Sequence, residues 1–290
     1  MNPASHAHDG VAFGFDARRL GSRAIASLYA ELACAPKPGL VTLYDCGSHR
    51  DMNATTFMRS LNALRPYFTS IASAGAAGAP FAYLRELGIE AEIAMLEATG
   101  GINTHRGAIF SLGLLVAAAG ALAAEGHASL CAKAVCETVR LRWQNAIRAA
   151  PLNASSHGQC VARKHQAGGA RAEASAGFPS VRKIALPQLR EALRCGVNSA
   201  AATTQALMAL IASTEDTNLL HRGSDGGLRF AQQRAHAFLR QGGVMSRDWR
   251  PRLERIGREF VAHDLSPGGS ADLVACAWFL HDLERRNLWR

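Results

Sequence analysis

Apolar positions recur along this chain at the three-to-four-residue spacing that places them on one face of a helix. Leu20, Ala24, Ile25, Leu28 and Leu32 make such a stripe across 16–33. The same pattern predicts helices at 54–77 and 81–98, parted by Gly78 and Pro80, and again at 107–124 and 128–150. It resumes at 187–213, 227–241, 248–263 and 270–288. Between them 158–183, rich in Gly, Ser, Arg and Lys, reads as a long excursion. No window alternates with period two between turn residues, so strands are minor at most. There is no internal repeat and no linker long enough to divide the chain. The expected fold is all-α: a disordered N-terminal tail at 1–16, then one multi-helix catalytic domain over 17–290 with functional loops between its helices.

Composition sharpens this picture. Alanine, the best helix former, is the commonest residue. The longest apolar run, 108–124, is 17 residues of mostly Ala, Gly and Leu between Arg106 and Glu125, which predicts a buried central helix and no membrane span. Residues 1–14 hold no apolar core of a secretory signal. With 48% apolar and 19% charged residues in 290, the chain sits in the globular range. Its seven cysteines form no CxxC pair, which argues against a zinc ribbon or disulfide framework and for thiols of a reducing, cytoplasmic compartment. The net charge of +9 favours polyanionic partners. Basic residues neither cluster in runs nor interleave with aromatics, so phosphorylated small molecules rank above nucleic acid.

Five polar, Gly- or Pro-rich segments carry the candidate chemistry. The first is Pro36-Lys37-Pro38-Gly39-Leu40-Val41 with Asp45, His49, Asp51 and Met52 after it. Its prolines hold the chain extended, and Lys37 is a compact charge suited to phosphate. Asp45, His49 and Asp51 can converge on a metal, a ribose or a proton, or Asp51 can cap the next helix. In the second, Glu92, Met95 and Thr99 share a helix face, and Asn103, Thr104, His105 and Arg106 open the helix that follows, an anion site on electrostatic grounds. The third offers Arg171 for phosphate and Glu173 as acid, base or ion-pair partner. The fourth offers Asp216, Thr217 and Asn218 as oxygen ligands for Mg²⁺ and Arg222 as a phosphate fork. The fifth holds Ser266, Gly268, Gly269, Ser270 and Asp272, with helix capping as the alternative role for its polar side chains.

In this order the five segments resemble those of the triphosphoribosyl-dephospho-coenzyme A synthases, which serve malonate decarboxylase and citrate lyase. The family patterns are PKPGLV with DxGxHxDM, ATGGxNTH[KR]GAIF, GARGEAxxGFP, DTNxxxRG and SPGGSADLLA. Here they fall at 36–41 and 45–52, 98–110, 169–179, 216–223 and 266–275, with Ala172 in place of a glycine and Val274 in place of a leucine. The resemblance runs from about residue 20 to 283, and 84–89 and 103–110 look closer to the malonate decarboxylase branch.

The resemblance implies a transferase: the ribose 2′-hydroxyl of 3′-dephospho-coenzyme A attacks the anomeric carbon of ATP's ribose, and adenine leaves. It implies Mg²⁺ as cofactor, and the acyl-carrier subunit or its loading transferase as partners. Lys37, Arg106, Arg171 and Arg222 are then expected to clamp phosphates, with Asn103, Thr104, His105, Ser266, Gly268 and Gly269 around the substrates. The oxocarbenium-like transition state calls for carboxylates. Asp51 or Glu92 is expected as base, Glu173 as a further catalytic carboxylate, and Asp216 with Asp272 as Mg²⁺ ligands, with Asp45 a third candidate. A metal-dependent hydrolase of nucleotide N-glycosidic bonds and a non-enzymatic, carrier-binding helical module are the competing readings.

Overall fold

The computed structural model describes residues 15–127, 130–151 and 168–285. Eleven α-helices and no strand occur among them, in a single all-α domain. They are α1 (Ala17–Ala33), α2 (Ala54–Ala76), α3 (Phe81–Thr99), α4 (Arg106–Ala124), α5 (Ala132–Ala149) and α6 (Gly169–Ser175). Then follow α7 (Leu186–Arg194), α8 (Ser199–Ser213), α9 (Thr217–Arg240), α10 (Trp249–Ala262) and α11 (Gly268–Arg285). The expected tail before Phe15, the excursion's first part at 158–167 and the end of the last helix at 286–288 lie outside the described residues.

Two helices are apolar nearly all round, the pattern of a core helix. In α4, 15 of 19 residues are buried, as is the run from Ala201 to Ala212 in α8. Helices α1, α2, α3, α5, α6 and α11 surround α4, and α1 and α11 also reach α8, joining the two cores. Helix α4 is long and apolar enough to cross a membrane, but its place is the interior, as the run 108–124 predicted. Alanine and glycine let helices approach closely: a side chain at Gly75 or Gly120 would strike the backbone of the facing helix at Ala117 or Ala72.

Three expectations are corrected. The span 187–213 is two helices, broken at Gly196, whose φ of 82° suits glycine; Asn198 caps the second, its Oδ1 accepting the Ala201 N–H at 2.9 Å. The excursion contains α6 and a π-helical stretch, Val181–Ala185, that runs into α7. Residues 217–223 form a helical arm instead of a loop, ended by a kink at Ser224 with φ 51° and continued by the rest of α9.

Candidate active site

A cleft of about 1470 Å³ is lined by parts of all five segments. Its size exceeds the 300–1,000 Å³ usual for one small ligand. His49, Asp51, Glu92, Asn103 to Arg106, Arg171, Glu173, Asp216, Arg222, Ser266, Gly268, Gly269 and Asp272 all reach it; Lys37 and Asp45 do not.

The heads of α4, α9 and α11 meet at the cleft, and the acidic motif residues stitch them together. Asp216 precedes α9. Its Oδ1 accepts the N–H of Asn218 at 2.9 Å and of Gly269 at 3.3 Å, while Oδ2 accepts the N–H and hydroxyl of Ser270 at 2.7 and 2.8 Å. One carboxyl thus caps two helices. Gly268 and Gly269 sit where a Cβ would crowd Asn218 and Asp216, so their first requirement is this junction. On α4, Asn103 Oδ1 accepts the Arg106 N–H at 3.1 Å, and Asp272 accepts that of Ala108. The Asp272 carboxyl lies against Gly107, where no Cβ fits. Burial pushes the Asp216 carboxyl up, against its hydrogen bonds; burial, then Glu31 and Asp216, push Asp272 well above the usual carboxylate range.

These contacts bear on the expectation that Asp216 and Asp272, with Asp45 as a third candidate, hold Mg²⁺. The Asp216 oxygens are taken by N–H and O–H donors, the Asp272 carboxyl accepts the Ala108 N–H, and Asp45 turns back on the Gly47 N–H at 2.5 Å away from the cleft. Among the described residues no three His, Cys, Asp or Glu side chains form a metal-holding group. The donor set does not fit a resident Mg²⁺.

Lys37 is likewise corrected. It is 5% exposed, and its Nζ donates to Glu31 Oε1 at 2.6 Å and to the Glu31 carbonyl at 2.7 Å. Lys37 does not line the cleft; it holds Glu31, which does. Glu31 escaped the sequence reading, although a signal was present. It falls three residues after Leu28 on the buried stripe of α1, a charge where an apolar residue belongs.

His105 is 4% exposed, with Nδ1 2.7 Å from Ser60 Oγ and its ring edge-on to Phe57. Burial and Lys37 hold it neutral, with a pKa lowered to about 3. The Ser60 hydroxyl has no other acceptor among the described residues, so it donates to Nδ1 and leaves the ring hydrogen on Nε2. That Nε2, Thr104 Oγ1 and Arg171 Nη1 are buried, cleft-lining and without a partner in the described structure. Native proteins rarely orphan such groups, and three around one cleft mark a place where a ligand supplies the bonds.

At the rim, Arg106 Nε pairs with Glu92 at 3.0 Å. Burial raises the Glu92 pKa, and Arg106 opposes the rise. Arg222 donates to the Ser48 carbonyl at 3.2 Å and to Asp264 Oδ1 at 2.8 Å, tying the first segment to the fifth. Its Nη2 lies 3.2 Å from His49 Nδ1, and His49 Nε2 lies 2.9 Å from Ser266 Oγ. Burial and Arg222 lower the His49 pKa, so the neutral ring accepts from Arg222 and donates to Ser266, leaving that hydroxyl's hydrogen for a ligand. Asp51 stands at the edge, its side chain 62% exposed and 3.8 Å from His49. Arg171 spends Nη2 on the carbonyls of Ile147 and Ala150 at the end of α5, 2.6 Å each. Glu173 accepts the Ser180 N–H at 2.7 Å and hydroxyl at 2.9 Å, so its carboxyl, expected to be catalytic, caps the turn that follows.

Residues 17–290 match the model of the family described as ATP:dephospho-CoA triphosphoribosyl transferase. The chain is 38% identical over 271 residues to the 2-(5''-triphosphoribosyl)-3'-dephosphocoenzyme-A synthase of Pectobacterium atrosepticum, covering 90% of this chain and 88% of that one. Relatives from Vibrio cholerae (37% over 277 residues, 92% and 88% covered) and Salmonella gallinarum (38% over 277, 91% and 90%) are each named as a probable synthase of the same kind. No solved structure matches. The chain belongs to the ATP:dephospho-CoA triphosphoribosyl transferase family.

Proposed function

With that membership as the premise, we propose that the protein joins ATP to 3′-dephospho-coenzyme A through the latter's ribose 2′-hydroxyl and releases adenine. The observation that carries this reading is the large cleft with unspent donors at Thr104, His105 and Arg171. Its volume suits two nucleotides side by side. Arg106 at the rim and Arg171 Nη1 within offer cations to the phosphates, and each charge-assisted contact contributes about 1.5–3 kcal/mol. Neutral His105 offers a hydrogen-bond donor instead of a charge. Ser266, oriented by His49, offers another, and Arg222 serves both by fixing His49. Asp51 and Glu92 bracket the rim, where they suit the ribose hydroxyls. Magnesium belongs to the substrate in this reading, as the counter-ion of ATP's triphosphate.

The product would be loaded onto an acyl-carrier subunit by a separate transferase in the cytoplasm. The segments 84–89 and 103–110 favour the malonate decarboxylase pathway over citrate lyase. The test is mass spectrometry of a reaction of the purified protein with ATP, Mg²⁺ and 3′-dephospho-coenzyme A. The expected product has the summed mass of the two substrates less adenine. Adenine and free triphosphoribose without that conjugate would support the hydrolase reading.

A further inference from the structure

The synthase reaction needs a group to take the proton of the attacking hydroxyl, and the sequence motifs offer poor ones. Asp51 is mostly in solvent, Glu92 is bound to Arg106, and Glu173 and Asp216 are spent on helix caps. Glu31 differs from all of these. It lines the cleft, is 6% exposed, and the buried Lys37 ammonium fixes Oε1 at 2.6 Å. Its other oxygen, Oε2, accepts no hydrogen bond among the described residues. The ion pair supplies the counter-charge a buried carboxylate needs and leaves one of its oxygens uncommitted. The unpartnered Nε2 of His105 belongs to a residue lining the same cleft, a second and independent sign that the cleft takes a bound molecule.

We propose that Glu31 is the catalytic base of the transfer, receiving the 2′-hydroxyl proton of 3′-dephospho-coenzyme A on Oε2. The proposal rests on the synthase reading. As the hydroxyl oxygen bonds to the anomeric carbon of ATP's ribose, its proton passes to Glu31. The bond from that carbon to adenine N9 breaks, and its electron pair leaves with the base. Adenine takes up one proton, Glu31 gives one up through solvent, and the reaction releases none. In the transition state the same carboxylate faces a ribose ring that is gaining positive charge.

The experiment measures adenine release at saturating substrates for wild type and Glu31→Gln, with KM for ATP and a thermal melt for each. Glu31→Gln is expected to lose about 10²–10⁴-fold in kcat, the usual contribution of a general base, with KM for ATP within about threefold. A folded Glu31→Gln that keeps kcat within about threefold of wild type overturns the proposal. The single change strands a buried lysine, so the double variant Glu31→Gln/Lys37→Met, which removes both halves of the pair, is run beside it. That variant is expected to be folded and inactive; a folded, active one overturns the assignment. No conjugate from wild type removes the synthase reading and this assignment with it, whereas an active wild type beside an equally active Glu31→Gln removes the assignment alone.

Discussion

His105 shows how a single side chain changes meaning between sequence and structure. Beside Arg106 at a helix head it reads as part of a cationic anion site. Enclosed, bonded to Ser60 and held neutral with a pKa near 3, it offers a hydrogen-bond donor in place of a charge. The depressed pKa has a consequence for stability. The unfolded chain takes up a proton near the ordinary histidine pKa of 6.5 and the folded one resists, so stability conferred by this site is present above pH 6.5 and lost as pH falls toward 3. The full shift corresponds to roughly 5 kcal/mol. His105→Asn should show a flatter decline in melting temperature between pH 6.5 and 4 than wild type; parallel declines would place the acid sensitivity elsewhere. Arg106 is the second residue whose role is measurable. Arg106→Ala should weaken ATP binding by about 1.5–3 kcal/mol with native helicity retained. Unchanged affinity in calorimetry would leave Arg106 as the partner of Glu92 alone.

At the scale of elements, helices were legible because their apolar stripes are long and periodic. Helices α1, α2, α3 and α4 fall within two residues of the expected bounds. The arm 217–223 was not, because Gly223, Gly226 and Gly227 weaken a helical reading that tertiary packing against Leu265 restores. The membership of the cleft was largely legible, since motif order collects the segments. The roles were not. Whether Asp216 holds a metal or caps helices depends on the head of α11 arriving beside it from 53 residues away, which local sequence does not encode. Lys37 and Glu31 fail the same way, because a lysine in a Pro-Gly loop looks exposed until the loop folds back on α1. Two variants test the junction. Asp216→Asn replaces an acceptor with an NH₂ that faces N–H donors, and should destabilise the fold by about 1–3 kcal/mol. Its residual activity should keep the wild-type dependence on Mg²⁺ concentration; a raised Mg²⁺ requirement in a variant of native stability would restore the ligand role. Gly107→Ala forces a methyl into the Asp272 carboxyl and should lower the melting temperature, whereas an unchanged melt would show that the carboxyl has room to move.

For the molecule as a whole, two apolar helices form the cores, and the helices bridging them leave a cleft where polar segments from across the chain converge. The backbone N–H groups at the heads of three helices are capped from within by Asp216, Asn103 and Asp272, and arginine side chains offer positive charge in the cleft. A net charge of +9 adds a field that draws in two polyanions at once. That is the physical problem of this transfer, because ATP and dephospho-coenzyme A repel each other until both are bound. If attack comes from the second nucleotide and not from water, adenine cannot leave without it. The decisive measurement is the initial rate of adenine release from ATP as 3′-dephospho-coenzyme A is varied at fixed Mg²⁺. The expected result is a saturable rise from a rate near zero, with one conjugate formed per adenine; release at full rate in the absence of dephospho-coenzyme A would contradict it.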